Sequence, residues 1–161
     1  MTTETHTAAG SATTELIIEI FRLNGDLLKS GDQLVKSLNL TSARWQVIGA
    51  LVLADEPQTV PQIARRMGLT RQAVQRIAND LAKRKFITSR ECRTDRRTRL
   101  LAPTPRGREM YRRATERQVR WVNEICGGLK ADDIRKAKVV VTALCQRCRQ
   151  LDSAAFDNFT R

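Results

Sequence analysis

Arg71, Gln72, Gln75, Arg76 and Asn79 recur at spacings that a helix gathers onto one face. Their side chains share a chemistry. A guanidinium can bond both acceptors of a guanine edge, and a Gln or Asn amide can bond an adenine edge, so such a face can read base pairs or grip phosphates. A merely solvated face has the same composition, and the neighbouring elements decide between the two. Val74, Ile77, Ala78 and Leu81 form the opposite, apolar side of the same helix, which Thr70 starts. Upstream, Val60, Ile63, Ala64 and Met67 form a second apolar stripe that Gly68 closes. Gly68 suits a turn needing positive φ, while small Ala64 and branched Val74 let two short helices cross closely. The pattern predicts a helix-turn-helix.

After Lys85 the period changes. Residues Phe86 to Cys92 and Thr98 to Leu101 read as two short strands around a charged tip, Arg93-Thr94-Asp95-Arg96-Arg97. This is a wing. A basic hairpin beside a recognition helix can lay an arginine into an adjacent narrow minor groove, where A·T-rich segments carry enhanced negative potential.

In these residues the sequence resembles the MarR family of bacterial transcription regulators. The resemblance is carried by Ile63-Ala64-Arg65-Arg66-Met67-Gly68-Leu69-Thr70, by Arg76 and Leu81, by Asp95-Arg96-Arg97, and by Leu101-Ala102-Pro103-Thr104-Pro105-Arg106-Gly107. The last segment is similar to the family's Leu-Thr-x-x-Gly step into the next helix, with Pro103 intervening. In helix order the resemblance spans residues 14–151, and it is specific at the residue level in the winged core. It implies that Asp95 braces the wing and that Arg97 enters the minor groove. The expected DNA contacts are then Thr70, Arg71, Gln72, Gln75, Arg76, Asn79, Arg93, Asp95, Arg96 and Arg97. Gln75 stands where relatives often carry Ser or Thr, which alters the base preference expected there.

Charge supports a polyanionic partner. Residues 65–113 hold 16 Lys/Arg and 4 Asp/Glu, a net of +12, whereas the remainder holds 13 of each and is neutral. A localised excess of this kind is an electrostatic footprint for nucleic acid. A membrane surface is the competing polyanion, but no apolar run approaches 18 residues and neither terminus carries a basic amphipathic helix with an aromatic face. The N-terminus lacks the segments of a signal peptide, so a cytoplasmic protein is expected. Cys92, Cys126, Cys145 and Cys148 show no disulfide-framework spacing and fit a reducing compartment.

The expected fold class is mostly α: a winged helix-turn-helix of about six helices and a small β-hairpin, with helical dimerisation segments from both termini. Residues 1–13 are Thr/Ala-rich without apolar periodicity and read as a disordered tail containing His6, the only histidine. A histidine-built metal site and histidine catalysis on rigid structure are thereby disfavoured, and no cofactor is expected. Residues 14–40 read as a long helix in which Leu16, Ile20, Leu23, Leu27, Leu34 and Leu38 form a stripe that Ile17, Phe21 and Leu28 widen. A partner subunit and a broad core face both account for that width; Gly25 and Gly31 could mark a kink.

Residues 41–104 hold the winged domain. Thr41 or Ser42 caps its first helix, which buries Trp45, Ile48, Leu51 and Val52. Thr59 caps the next. Residues 105–161 hold two helices. In the first, opened by Thr104-Pro105, the crowded Arg106, Arg108, Arg112 and Arg113 oppose the helix dipole, a cost that phosphate contact or solvation can offset. The second opens on Asp132-Asp133, and Ile134, Ala137, Val141, Leu144, Cys148 and Leu151 form a coiled-coil seam. Phe156 and Phe159 lie beyond it in a tail expected to dock.

A two-fold homodimer would read an inverted-repeat operator on double-stranded DNA, its half-sites about 10 base pairs apart. This agrees with the triangular helical dimer of MarR relatives, which often act as repressors released by aromatic acids or phenols. Phe21, Arg22, Trp45 and Tyr111 are candidates to line such an effector pocket. Arg22 would pair with a carboxylate or simply be exposed, and Trp45 could equally be core.

Three alternatives have distinct signatures. A thiol-based redox sensor would use Cys92, set between Arg90 and Arg93, or the Cys145/Cys148 pair one helical turn apart, although Cys-x-x-Cys within a helix is more often small-residue packing. A DNA-coating architectural protein would bind every sequence with the same affinity and salt slope. An enzyme would need a nucleophile-base pair, a metal cluster or a phosphate loop, and the ordered region offers none.

Overall fold

Threonine hydroxyls start five of the six helices in the computed structural model, which describes residues 5–54, 56–92 and 98–154, with side-chain surroundings as far as Leu151. Thr7, Thr41, Thr59, Thr70 and Thr104 each accept from the backbone N–H three residues on, at 3.0, 3.3, 3.4, 3.1 and 3.0 Å. Each satisfies a donor that the helix cannot, which typically contributes about 1 kcal/mol. The helices are α1 (Ala8–Val35), α2 (Ser42–Val52), α3 (Val60–Met67), α4 (Arg71–Lys83), α5 (Pro105–Ile125) and α6 (Ala131–Ala154). A 3-10 turn at Lys36–Leu38 follows α1, and strands β1 (Ile87–Glu91) and β2 (Arg99–Pro103) separate α4 from α5. The chain is a mostly helical winged helix-turn-helix.

The N-terminal segment departs from expectation. Helix α1 begins at Ala8, so residues 8–13 are helical and not tail. Alanine has the highest helix propensity, Thr7 supplies the cap, and the Thr13 and Thr14 hydroxyls bond back to the carbonyls of Ala9 and Gly10. Apolar periodicity is silent about such a start. The helix also ends earlier than expected, at Val35, and runs through Gly25 and Gly31 without a break. Gly31 serves close approach instead: a Cβ there would come within 2.6 Å of Ser42 Oγ.

Two compact units divide the chain, residues 1–120 and 121–161. In the first, Val35 and Leu38 meet Val47, Ile48 and Leu51 of α2, Ile63 and Ala64 of α3, and Val74, Ala78 and Leu81 of α4 in one buried cluster. Phe86, Ile87 and Leu101 close it from the hairpin, and Ala114 from α5. The core thus draws on the end of α1 and on α5, beyond the 41–104 span of the winged segment. Arg117 reinforces that link by donating to the Leu34 carbonyl at 3.0 Å and to Ser37 Oγ at 2.6 Å.

The antiparallel hairpin sets Ile87 opposite Pro103 and Glu91 opposite Arg99. Gln58 exchanges two backbone hydrogen bonds with Leu101, at 2.9 and 2.8 Å, fastening the loop before α3 to β2. At the other end, the Phe86 carbonyl lies so close to Gly107 that a Cβ would collide with it. The glycine is therefore a packing requirement of the step from hairpin to helix. In the second unit, α6 has no buried residue from Ala131 to Leu151.

Candidate nucleic-acid interface

Helix α4 carries Arg71, Gln72, Gln75, Arg76 and Asn79, and its two sides separate as their chemistry requires. Val74, Ala78 and Leu81 are buried with Ile77 packed against them, whereas Thr70, Arg71, Gln72, Gln75, Arg76 and Asn79 are exposed. A capping box at Thr59 and Gln62 starts α3, and Gly68 at φ 65° ends it. The left-handed residue turns the chain so that Thr70 can cap α4 at once. Sequence reasoning reaches this far because each step has a local residue signature.

The exposed face is chemically open. Among the described residues, Arg71 and Arg76 form no ion pair. Gln75 Nε2 donates to Asn79 Oδ1 at 2.9 Å, which leaves the Gln75 carbonyl oxygen and the Asn79 amide hydrogens pointing at a partner's disposal. A cleft of about 520 Å³ lies along this face, lined by Gln72, Gln75, Arg76, Asn79, Asp80 and Lys83.

Asp80 anchors the helix, a role that its position among polar residues concealed. It receives Arg44 of α2 at 2.6 Å and Arg84 at 2.9 Å, and Arg84 reaches on to the Asn39 carbonyl at 3.5 Å. Both arginines are only partly exposed, so the pairs are screened less than free surface pairs. Arg66 of α3 likewise donates to the Ala50 carbonyl at 3.3 Å. The Arg44–Asp80 pair and the Arg84–Asn39 bond tie α4 to α2 and to the turn before it, Arg66 ties α3 to α2, and no sequence spacing announces these contacts.

At the wing, both strands form as expected, but Arg93, Asp95, Arg96 and Arg97 lie outside the described residues. Of the crowded α5 arginines, Arg112 is engaged within its own helix by Glu109 and Glu116. The Arg112 hydrogen bond holds the Glu109 carboxyl below its ordinary value, and the two glutamates hold the Arg112 guanidinium above its own. Arg106 stacks over the Phe86 ring, 5.2 Å from its centroid. Arg108 and Arg113 form no ion pair among the described residues.

The proposed effector residues are distributed unevenly. Trp45 and Tyr111 pack against the core, and a Cβ at Gly49 would stand 2.8 Å from the Tyr111 ring. Phe21 is 71% exposed, and Arg22 is paired with Glu19 at 2.6 Å. None of the four lines the cleft on α4. Cys145 and Cys148 are exposed on α6, so the packing role expected for a helical Cys-x-x-Cys is not met within the single chain. Phe156 and Phe159 lie outside the described residues. Among the described residues there is no cluster of three or more metal-ligating side chains, and no helix is long and apolar enough to cross a membrane.

Fold and site together define a winged helix-turn-helix with an open basic reading face. Residues 38–98 match the model of the MarR family. An uncharacterised protein of Mycobacterium tuberculosis is 40% identical over 104 residues, covering 65% of this chain and 71% of its own. Among solved structures, the transcriptional regulator BldR from Sulfolobus solfataricus superposes with a TM-score of 0.79 at 20% identity, covering 88% of this chain and 99% of its own. CouR from Rhodococcus jostii RHA1, bound to p-coumaroyl-CoA, gives a TM-score of 0.73 at 17% identity over 82% and 92%. The chain belongs to the MarR family of DNA-binding transcriptional regulators.

Proposed function

We propose that this protein is a homodimeric repressor that reads an inverted-repeat operator in the cytoplasm and is released by a small ligand. The observation that carries the reading is the exposed arginine and amide face of α4, whose Arg71 and Arg76 form no ion pair among the described residues, set on a helix that Asp80 and the buried Val74, Ala78 and Leu81 hold in place. Arg71 and Arg76 would bond guanine edges or phosphates, Gln72, Gln75 and Asn79 would supply amide contacts, and the cap at Thr70 would bring the helix N-terminus to a phosphate. Arg93, Arg96 and Arg97, with Asp95 bracing them, would enter the flanking minor groove.

Two-fold pairing is supported by the uncovered apolar residues of the terminal helices, among them Ile17, Phe21 and Leu28, which share one face of α1, and Ile134 and Leu151 of the α6 seam. Protein surfaces seldom leave such residues in contiguous stripes without a partner. Repression follows most simply from occlusion, since a dimer spanning two major grooves excludes other proteins from the same duplex. An aromatic effector is supported by CouR, which holds an aromatic acyl thioester, and by Trp45 and Tyr111, which are half-buried beside the core. Phe21 and Arg22 would join them only if Arg22 exchanges Glu19 for a ligand carboxylate.

The test is protection mapping on the DNA upstream of the protein's own gene, followed by titration of the protected duplex and a scrambled duplex at two salt concentrations. A repressor of this kind protects two symmetric half-sites and prefers the operator at both salts. Equal affinity and equal salt slope on the two duplexes would instead identify a DNA-coating protein.

A further inference from the structure

Four described residues have left-handed backbone, and three are Gly or Asn: Asn39, Gly68 and Gly128. Lys85, at φ 59°, is the exception. It occupies the αL position that ends α4, where Phe86 N–H donates to the Leu81 carbonyl and Lys85 N–H to the Ala82 carbonyl, each at 2.9 Å. Glycine is the usual residue there, because a Cβ at positive φ crowds the carbonyl. The backbone is held in place from outside as well, since the Thr104 hydroxyl donates to the Lys85 carbonyl at 2.8 Å. A long cationic side chain in a strained position is a reason to ask what the side chain does.

Lys85 lines a cleft of about 490 Å³ between the end of the 3-10 turn, the end of α4 and the start of α5. Lys83, Arg84, Arg106 and Arg113 line it too, and no acidic residue does. Arg84 is committed to Asp80, but Lys83, Lys85 and Arg113 form no ion pair among the described residues. Phe86 and Met110 supply an apolar wall, and the Phe86 ring holds the Arg106 guanidinium in place. The cleft is thus concave, of ligand size and cationic, with one arginine already oriented.

We propose that this cleft binds a compact polyanion carrying two or more phosphate groups. Apart from Lys83, none of its residues lines the cleft along the reading face of α4. Base-reading contacts come from the N-terminal part of a recognition helix, and Lys85 lies about 20 Å along the axis from Arg71. It is also separate from the expected aromatic pocket, for none of Phe21, Arg22, Trp45 and Tyr111 lines it. Several convergent cations suit adjoining phosphates better than a single carboxylate, and Arg106 and Arg113, one above the other on α5, can bond successive phosphate oxygens.

The full-length protein, without DNA and at low salt, is titrated with inorganic tripolyphosphate in a calorimeter. Saturable binding at one site per chain is expected, with a dissociation constant below about 1 mM. Lys85→Gly relieves the left-handed backbone, so it should raise the melting temperature by a few degrees while weakening tripolyphosphate about tenfold. Arg113→Gln should weaken it comparably. Lys138→Gln removes one charge from α6 and should leave the affinity unchanged. Absence of saturable binding, full affinity in Lys85→Gly, or an equal loss in Lys138→Gln would each overturn the assignment. No step uses DNA, so failure here is separate from failure of the repressor reading.

Discussion

The middle of the chain and its two ends use the same helical periodicity of apolar residues to different effect. Between Val35 and Ala114, each stripe finds its complement within the chain, and Val47, Ile48, Val74 and Leu81 have no accessible surface. In α6 no residue from Ala131 to Leu151 is buried; of the stripe, Ile134 and Leu151 are 46% and 47% exposed, and Val139 beside it is 69% exposed. A hydrophobic pattern therefore states that a face must be covered and leaves open by what. Where short turns and a glycine bring the next helix back at once, the cover is intramolecular and the result is a rigid platform for α4. Where a helix outruns its neighbours, the pattern points to association.

The contrast can be broken first at the core. Leu81→Ala should cost about 2–5 kcal/mol, read by urea or thermal unfolding, because a fully buried side chain leaves a cavity that the packed helices cannot refill. A loss below about 1 kcal/mol would mean that the middle of the chain is not the rigid half. Ile134→Ser tests the other side of the comparison. It should weaken dimerisation by about 3 kcal/mol, one buried isoleucine being lost from each subunit, with little change in the secondary structure of the dissociated chain; sedimentation at graded concentration reads it. An unaltered dimer would show that α6 covers its stripe elsewhere.

Two smaller effects concern exposed residues, one on the reading face of α4 and one on α5. Arg76→Ala should cost on the order of 1–3 kcal/mol of operator affinity and relax discrimination at one base pair, measured by titration of single-substituted duplexes. Its melting temperature should be unchanged, since Arg76 is exposed and unpaired. The smallest effect concerns Glu109. Its carboxyl lies below the ordinary value of 4.5 because of the Arg112 hydrogen bond, so its contribution to stability is complete above about pH 4.5 and disappears as the pH falls through the lowered value. Glu109→Gln should flatten that limb of the acid-unfolding curve slightly, and an identical curve would show the pair to be energetically silent.

What the sequence reveals of this molecule is what has a local signature. Thr59, Gly68, Thr70, and Thr104 before Pro105 each announce a helix boundary through a hydrogen bond closed within four residues. The outward face of α4 follows from the positions of Val74, Ala78 and Leu81. The start of α1 was hidden because Thr and Ala carry no apolar period, although Thr7 is an adequate cap. Asp80 was hidden for another reason. Its partner Arg44 lies 36 residues away, and a charge that anchors a helix looks, in sequence, like a charge that faces water. Lys85 was hidden because nothing but backbone geometry distinguishes a left-handed lysine from an ordinary one.

The proposed repression depends on two copies presenting α4 to one duplex together. Sedimentation of the full-length protein with and without its upstream DNA, at micromolar concentration and low ionic strength, tests this most directly. The predicted result is a dimer that binds as a dimer and protects half-sites about 10 base pairs apart. A protein that stays a single subunit and does not associate with double-stranded DNA would contradict it.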